Sequence, residues 1–172
     1  ADNLSLQVHP NEAYCAAHPG AFPKTEAWFV LHAAAGSKIY RGVRHDVTPE
    51  TFRAAILDGS ALDLMHAIEV NAGDCVRLPS GICHALGAGV LVAELQTPSD
   101  TTFRVWDWNR NDPNRPLHID QALETMRFGN AQDTAGGGHA TLASIPVVDV
   151  GGVATKRICS MREFSIDHIT LT

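Results

Sequence analysis

Hydrophobic and polar positions alternate with a period of two at the start of the chain. Across Leu4-Ser5-Leu6-Gln7-Val8-His9, the aliphatic residues fall on one face of a strand, with Ser5, Gln7 and His9 on the other. Residues 26–33 form a second apolar run, and residues 38–41 read as a further strand after the turn at Gly36. The period then changes. Thr48-Pro49-Glu50 predicts a helix start: Thr48 as the cap, Pro49 in the first turn, and Glu50 at the positive end of the dipole. Phe52, Ala55 and Ile56 follow at helical spacing, Asp58-Gly59 closes the element, and a short helical turn is expected at 61–64. From Met65 onward strands are expected at 65–70, 74–78, 89–96 and 102–108, punctuated by Asn71-Ala72-Gly73-Asp74 and Pro79-Ser80-Gly81. A helix is expected over 119–126, and strands over 153–160 and 163–172. Short strands at regular spacing predict a mainly β protein, an antiparallel barrel or sandwich with a few short helices.

The chain of 172 residues is long enough for one compact domain and part of another. The Gly-rich run 129–138 marks the best linker. The expected division is a metal-binding domain over 1–128 with a helical insert near 48–64, a linker over 129–152, and the start of a second, incomplete domain over 153–172. A net charge of −6 argues against nucleic acid, whose phosphates need clustered Lys and Arg. It leaves room for a small anionic substrate held by a local positive site. Cys15, Cys75, Cys83 and Cys159 form no C-x2-C pair and read as free thiols of a reducing compartment. No signal-type or membrane-spanning run stands out, so a cytoplasmic location without a membrane partner is the expectation.

The candidate chemistry lies in three separate segments. Gln7 and His9 share one strand face, Lys24 and Glu26 share another by the same parity, and His84 follows the Pro79-Ser80-Gly81 turn, which can aim its imidazole inward. Two His, one Glu and one Gln suit a single zinc-like ion. An iron oxygenase centre fits less well, because those sites use two His and one carboxylate without a Gln. The other histidines carry no spacing that points to a shared ion. Arg104, Trp106 and Trp108 alternate on one expected strand face, where the tryptophans read as packing rather than as a sugar platform. The run 110–115 reads as a solvated loop.

The spacing Gly73…Pro79-x-Gly81-x2-His84 resembles the second motif of the cupin superfamily. Three further blocks accompany it: Leu4-Ser5-Leu6-Gln7-Val8-His9-Pro10, Lys24-Thr25-Glu26, and Glu94-Leu95-Gln96…Ser99-Asp100-Thr101-Thr102-Phe103-Arg104-Val105-Trp106-Asp107. In this order they resemble the bacterial type I mannose-6-phosphate isomerases, over residues 3 to about 127. The resemblance implies a cupin-type antiparallel β-barrel (jelly roll) and one zinc ion on Gln7, His9, Glu26 and His84. It further implies Ser5 and Lys24 at the phosphate of a small sugar phosphate, and Arg104 in the active site. Glu94, an acid on an apolar strand, is a candidate catalytic group or an ion-pair partner of Arg104. The implied function is interconversion of mannose 6-phosphate and fructose 6-phosphate. The alternative is a metal-stabilised cupin that binds a sugar or sugar phosphate without turnover.

Overall fold

The computed structural model describes residues 2–110, 112–129 and 138–171. It is mainly β, with antiparallel sheets. One five-stranded sheet runs β4-β3-β6-β1-β8, built from Met65–Glu69, Lys38–Val43, His84–Leu86, Leu6–Val8 and Phe103–Trp106. A four-stranded sheet runs β7-β2-β5-β9, from Val90–Gln96, Glu26–Ala33, Asp74–Leu78 and His139–Thr141. A third sheet, β10-β11-β12, comes from Val148–Val150, Val153–Ser160 and Ser165–Leu171.

Strand parity sorts the apolar residues into three buried layers. Trp28 and Val30 of β2, Ile39 of β3, Ile68 of β4 and Val76 and Leu78 of β5 meet between the two larger sheets. Leu6 and Val8 of β1 point the other way and pack under helices α2 (Pro49–Asp58) and α3 (Ile119–Thr125), beside Phe52, Ile56 and Ala122. Ala27 and Cys75 face outward from the four-stranded sheet onto Ile158 and Cys159 of β11. All four cysteines are free thiols. The apolar faces therefore leave the opposite face of β1, with Gln7, to the space between the sheets.

Helix α2 forms as expected. The Thr48 side chain accepts from the Thr51 amide, Thr51 returns the bond to the Thr48 amide, and Gly59 ends the helix at φ +85°. Helix α1 (Glu12–Ala17) was not anticipated. Its six residues are too few for a periodic signal, although Asn11 caps it by accepting from the Tyr14 amide at 2.8 Å. Strand β6, only three residues, and strands β9 and β10 were likewise not anticipated. The last two lie in the stretch expected to be a linker, where β9 pairs with β5. Residues 130–137 of that Gly-rich run lie outside the described residues.

One expected alternation is broken. On β1 and β8 the pairs are Leu6 with Trp106 and Gln7 with Arg104, so two steps on β8 match one on β1. This bulge turns Trp106 to the Leu6 side, into the layer beneath the helices, while Arg104 stays beside Gln7. Trp108, at φ +56°, lies beyond the strand and packs on Trp106 with ring centres 4.9 Å apart. The two tryptophans thus share packing with each other and not a face with Arg104.

The charged run 110–115 also does structural work. Arg110 and Arg115 both hydrogen-bond the buried Asp107 carboxylate, at 2.8 and 2.7 Å. Arg115 first, and Arg110 with it, hold that carboxyl below its ordinary value of 3.8 against the opposing effect of burial. A depressed folded-state pKa gives stability that is full above the ordinary value and lost as pH falls through the folded one. Asp107→Asn is therefore expected to cost about 1–2 kcal/mol at pH 7. The gap to wild type should shrink below about pH 4. Urea denaturation of both proteins at pH 7 and pH 3 checks this; a pH-independent gap would assign the loss to packing.

Candidate metal centre

Each candidate ligand is delivered by a different local device. Gln7 sits on β1 and pairs with His84 of β6 on one side and Arg104 of β8 on the other. Directly opposed residues share a face, so these three side chains emerge together. His9 follows the end of β1 on the same parity. Glu26 opens β2, in the facing sheet, with its side chain turned inward by the same alternation that buries Trp28 and Val30. His84 is aimed by the turn before it. Gly81 adopts φ +83°, and a Cβ there would meet the Thr125 carbonyl at 2.9 Å, so this tight turn into β6 requires glycine.

The result is a compact cluster. His9, Glu26 and His84 place one ligand atom each within 4.8 Å of one another, and all three are buried. Glu26 Oε2 lies 3.2 Å from His9 Nε2, and Glu26 Oε1 lies 3.0 Å from His84 Nε2. The Gln7 amide is 3.3 Å from His84 Nε2, and turning that amide over presents its oxygen to the same point.

The ring nitrogens facing away are also held. His84 Nδ1 donates to the Ile82 carbonyl at 2.8 Å, and His9 Nδ1 to the Thr101 carbonyl at 3.1 Å, with the Thr102 hydroxyl at 3.3 Å. These bonds put the proton on Nδ1 and leave each Nε2 with its lone pair toward Glu26, the arrangement found behind metal-binding histidines. Among the described residues, His9 Nε2 and both Glu26 oxygens are buried without a well-formed hydrogen bond. Buried acceptors left this way are costly unless something electropositive joins them. The donor set therefore fits a divalent cation of the zinc type.

Burial would raise the Glu26 pKa, but hydrogen bonds and positive charge from the His84 and His9 rings, when a proton rather than a metal sits between Nε2 and the carboxylate, outweigh burial and hold the carboxyl far below its ordinary range. Burial lowers the His9 pKa and favours the neutral, metal-binding form, while Glu26 works in the opposite direction.

Around the cluster, Lys24 Nζ lies 3.1 Å from Glu26 Oε2 and 3.8 Å from Glu94 Oε1. The other Glu94 oxygen accepts from the Trp28 indole at 2.9 Å. Arg104 donates through Nη1 to the Pro116 carbonyl at 3.1 Å, and its buried Nε has no hydrogen-bond partner among the described residues. Glu94 is thus paired with Lys24 and Trp28 and not with Arg104. Ser5 is buried just before β1. The remaining histidines serve elsewhere, for example His18 on Glu124 at 2.7 Å and His139 on Asp74 at 3.1 Å. Sequence reasoning missed Trp28, Thr101, Thr102 and Ile82. Trp28 was within reach, two residues after Glu26 on one strand face; the carbonyls carry no sequence signal.

A jelly-roll pair of sheets enclosing a His/Glu/His cluster defines a cupin with a candidate metal centre. By sequence the chain is similar to proteins named mannose-6-phosphate isomerase. It is 42% identical over 132 residues to the mannose-6-phosphate isomerase of Streptococcus mutans, covering 74% of this chain and 41% of that protein. It is 40% identical over 128 residues to a probable mannose-6-phosphate isomerase of Bacillus subtilis, covering 72% and 40%. The chain thus spans about two-fifths of the length of these curated relatives. The solved mannose 6-phosphate isomerase from Bacillus subtilis superposes with a TM-score of 0.84 at 27% identity, covering 99% of this chain and 53% of that one. A mannose 6-phosphate isomerase bound with zinc and yttrium shares the fold, with a TM-score of 0.61 at 16% identity over 97% of this chain and 60% of that one. No family model matches the chain. Among the described residues no helix is long and apolar enough to cross a membrane.

Proposed function

We propose that this chain carries the catalytic centre of a zinc-dependent aldose–ketose isomerase acting on mannose 6-phosphate and fructose 6-phosphate. The observation that carries the reading is the convergence of His9, Glu26 and His84, with the Gln7 amide 3.3 Å from His84 Nε2 and Arg104 beside Gln7, in a chain similar to mannose-6-phosphate isomerases. Residues 1–128 are the metal-binding domain in this reading, β9 adds to its four-stranded sheet, and β10, β11 and β12 form the separate third sheet.

The reaction moves a proton between C1 and C2 of the open-chain sugar through an enediolate. Gln7, His9, Glu26 and His84 would hold the zinc ion, which would supply Lewis-acid polarisation of the sugar oxygens. Glu94 is the candidate proton carrier. Its carboxylate is partly exposed at the site, and the Trp28 indole fixes one oxygen, leaving the second toward Lys24 and the substrate space. Arg104 offers a planar guanidinium that stabilises the oxyanion as it develops. Ser5 and Lys24 receive the phosphate, the hydroxyl by hydrogen bonding and the ammonium as a point charge.

A coupled assay for fructose 6-phosphate formation from mannose 6-phosphate, with zinc supplied, tests the reading. Turnover that disappears on chelation and returns with zinc supports it. Zinc and sugar-phosphate binding without turnover would establish the non-catalytic cupin instead.

Lys24 supplies a further test. Lys24→Ala in the zinc-loaded protein is expected to weaken mannose 6-phosphate roughly 10-fold more than mannose, the scale of one charge-assisted hydrogen bond. Calorimetric titration with both sugars checks this. Equal weakening would mean that Lys24 acts through its 3.1 Å contact with Glu26 and not on the phosphate.

A further inference from the structure

Two of the four cysteines, Cys75 and Cys159, are far apart in sequence and meet where the third sheet packs on the four-stranded one. Cys75 lies on β5, between residues that point inward, so its side chain emerges on the outer face of that sheet beside Ala27. Cys159 lies on β11, which packs across β5. The two are buried, at 1% and 3% exposure, in one apolar layer with Ile158. Their thiols are hydrogen-bonded to each other. The other two cysteines sit elsewhere: Cys83 is buried in the layer beneath the helices, and Cys15 is half-buried on α1.

A break in the regularity of β11 makes the meeting possible. Arg157 pairs with Asp167 and Cys159 with Ile166, so two steps on β11 match one on β12. Simple alternation would turn Ile158 inward and Cys159 outward. The bulge instead buries both in succession and re-aims Cys159 toward β5. The contact also makes the two sulfurs unequal. The hydrogen bond from Cys75 holds the Cys159 thiol below its ordinary value against the effect of burial. The same bond, with burial, raises Cys75. Cys159 is therefore the attacking sulfur of the pair and Cys75 the resolving one.

We propose that Cys75 and Cys159 are a reversible disulfide site, which locks the third sheet onto the four-stranded sheet when the chain meets hydrogen peroxide. The Cys159 sulfur gives up its proton and attacks one peroxide oxygen. The O–O bond breaks, the other oxygen leaves as hydroxide and takes that proton to become water, and Cys159 is left as a sulfenic acid. The Cys75 sulfur then attacks the Cys159 sulfur, the S–O bond breaks, and the sulfenic hydroxyl leaves with the Cys75 proton as a second water. The two thiols lose two electrons and two protons, and one peroxide is reduced to two waters. A dithiol reductant reverses the link by exchange, so the thiol form is the resting state in a reducing compartment.

The test treats the reduced, folded 172-residue chain with millimolar hydrogen peroxide, then counts thiols after denaturation and maps the linked peptides by mass spectrometry. Of the four thiols, the two of Cys75 and Cys159 should disappear into one intramolecular link, and dithiothreitol should restore them. Closing so long a loop should raise Tm by roughly 5 °C or more. Cys15→Ser combined with Cys83→Ala leaves only the pair and should link as the wild type does. Cys159→Ala should abolish both the link and the rise in Tm. Circular dichroism before oxidation verifies that each variant is folded. A pair that stays reduced while Cys15 is oxidised overturns the proposal. So do links made through Cys15 or Cys83 in its place, Cys159 driven to sulfinic acid with Cys75 still a thiol, or a Cys75–Cys159 link that leaves Tm unchanged. None of these results bears on turnover at the zinc centre, which the fructose 6-phosphate assay reads separately.

Discussion

His84→Ala is expected to abolish stoichiometric zinc binding. The imidazole is one of only four candidate ligands, and its Nδ1 bond to the Ile82 carbonyl holds Nε2 in the ligating form. Deleting an outer partner of a metal-bound histidine typically costs roughly 10–100-fold in affinity. Removing the ligand itself should cost more. The loss also leaves Glu26 buried with one fewer positive or hydrogen-bonding neighbour, so the metal-free protein should be destabilised as well. His84→Gln keeps most of the volume and separates the two effects: it should preserve more stability than alanine while still losing most zinc affinity. Metal content after dialysis, a chelator-competition titration and the zinc-dependent rise in Tm are the measurements. A variant that retains one zinc per chain at wild-type affinity would place the site elsewhere.

Arg104→Ala is expected to lower kcat by roughly 10²–10³-fold, the usual effect of deleting one donor to a developing oxyanion. KM should change much less, because the charge that Arg104 meets is greatest in the transition state. The structural basis is its pairing with Gln7 on the ligand face and a buried Nε that has no hydrogen-bond partner among the described residues. Lysine should restore little, since an ammonium does not present the same planar fork. Steady-state kinetics in the coupled assay, beside zinc content for each variant, checks this. An unchanged kcat at full zinc loading would make Arg104 a structural residue held by Pro116, and the stabilising charge would have to come from elsewhere.

Much of the candidate site was legible because strand parity is a local property. The alternation in Leu4–His9 puts Gln7 and His9 on one face whatever strand lies beside them, and Lys24 and Glu26 follow the same rule. The cap at Thr48 and the turn at Pro79–Gly81 were legible for a similar reason, since each depends on the backbone preferences of three or four consecutive residues. Elements of three to six residues, such as α1 and β6, escaped because they are shorter than the window over which periodicity accumulates.

What the sequence determined by itself was therefore a mainly β chain, a candidate ligand set and which side chains share a face. Only the tertiary structure decided which faces meet. Gln7 and His84 are 77 positions apart, and their contact depends on β1 pairing with β6. The assignment of Glu94 to Lys24 and Trp28 depends on β7 lying beside β2, and a bulge against β1, not alternation, separates Trp106 from Arg104. The carbonyls of Ile82 and Thr101 orient the two imidazoles although a backbone carbonyl has no identity in sequence. Propensity and period act over a few residues, whereas strand partners are chosen by the burial of whole faces, and that choice is made by the folded chain.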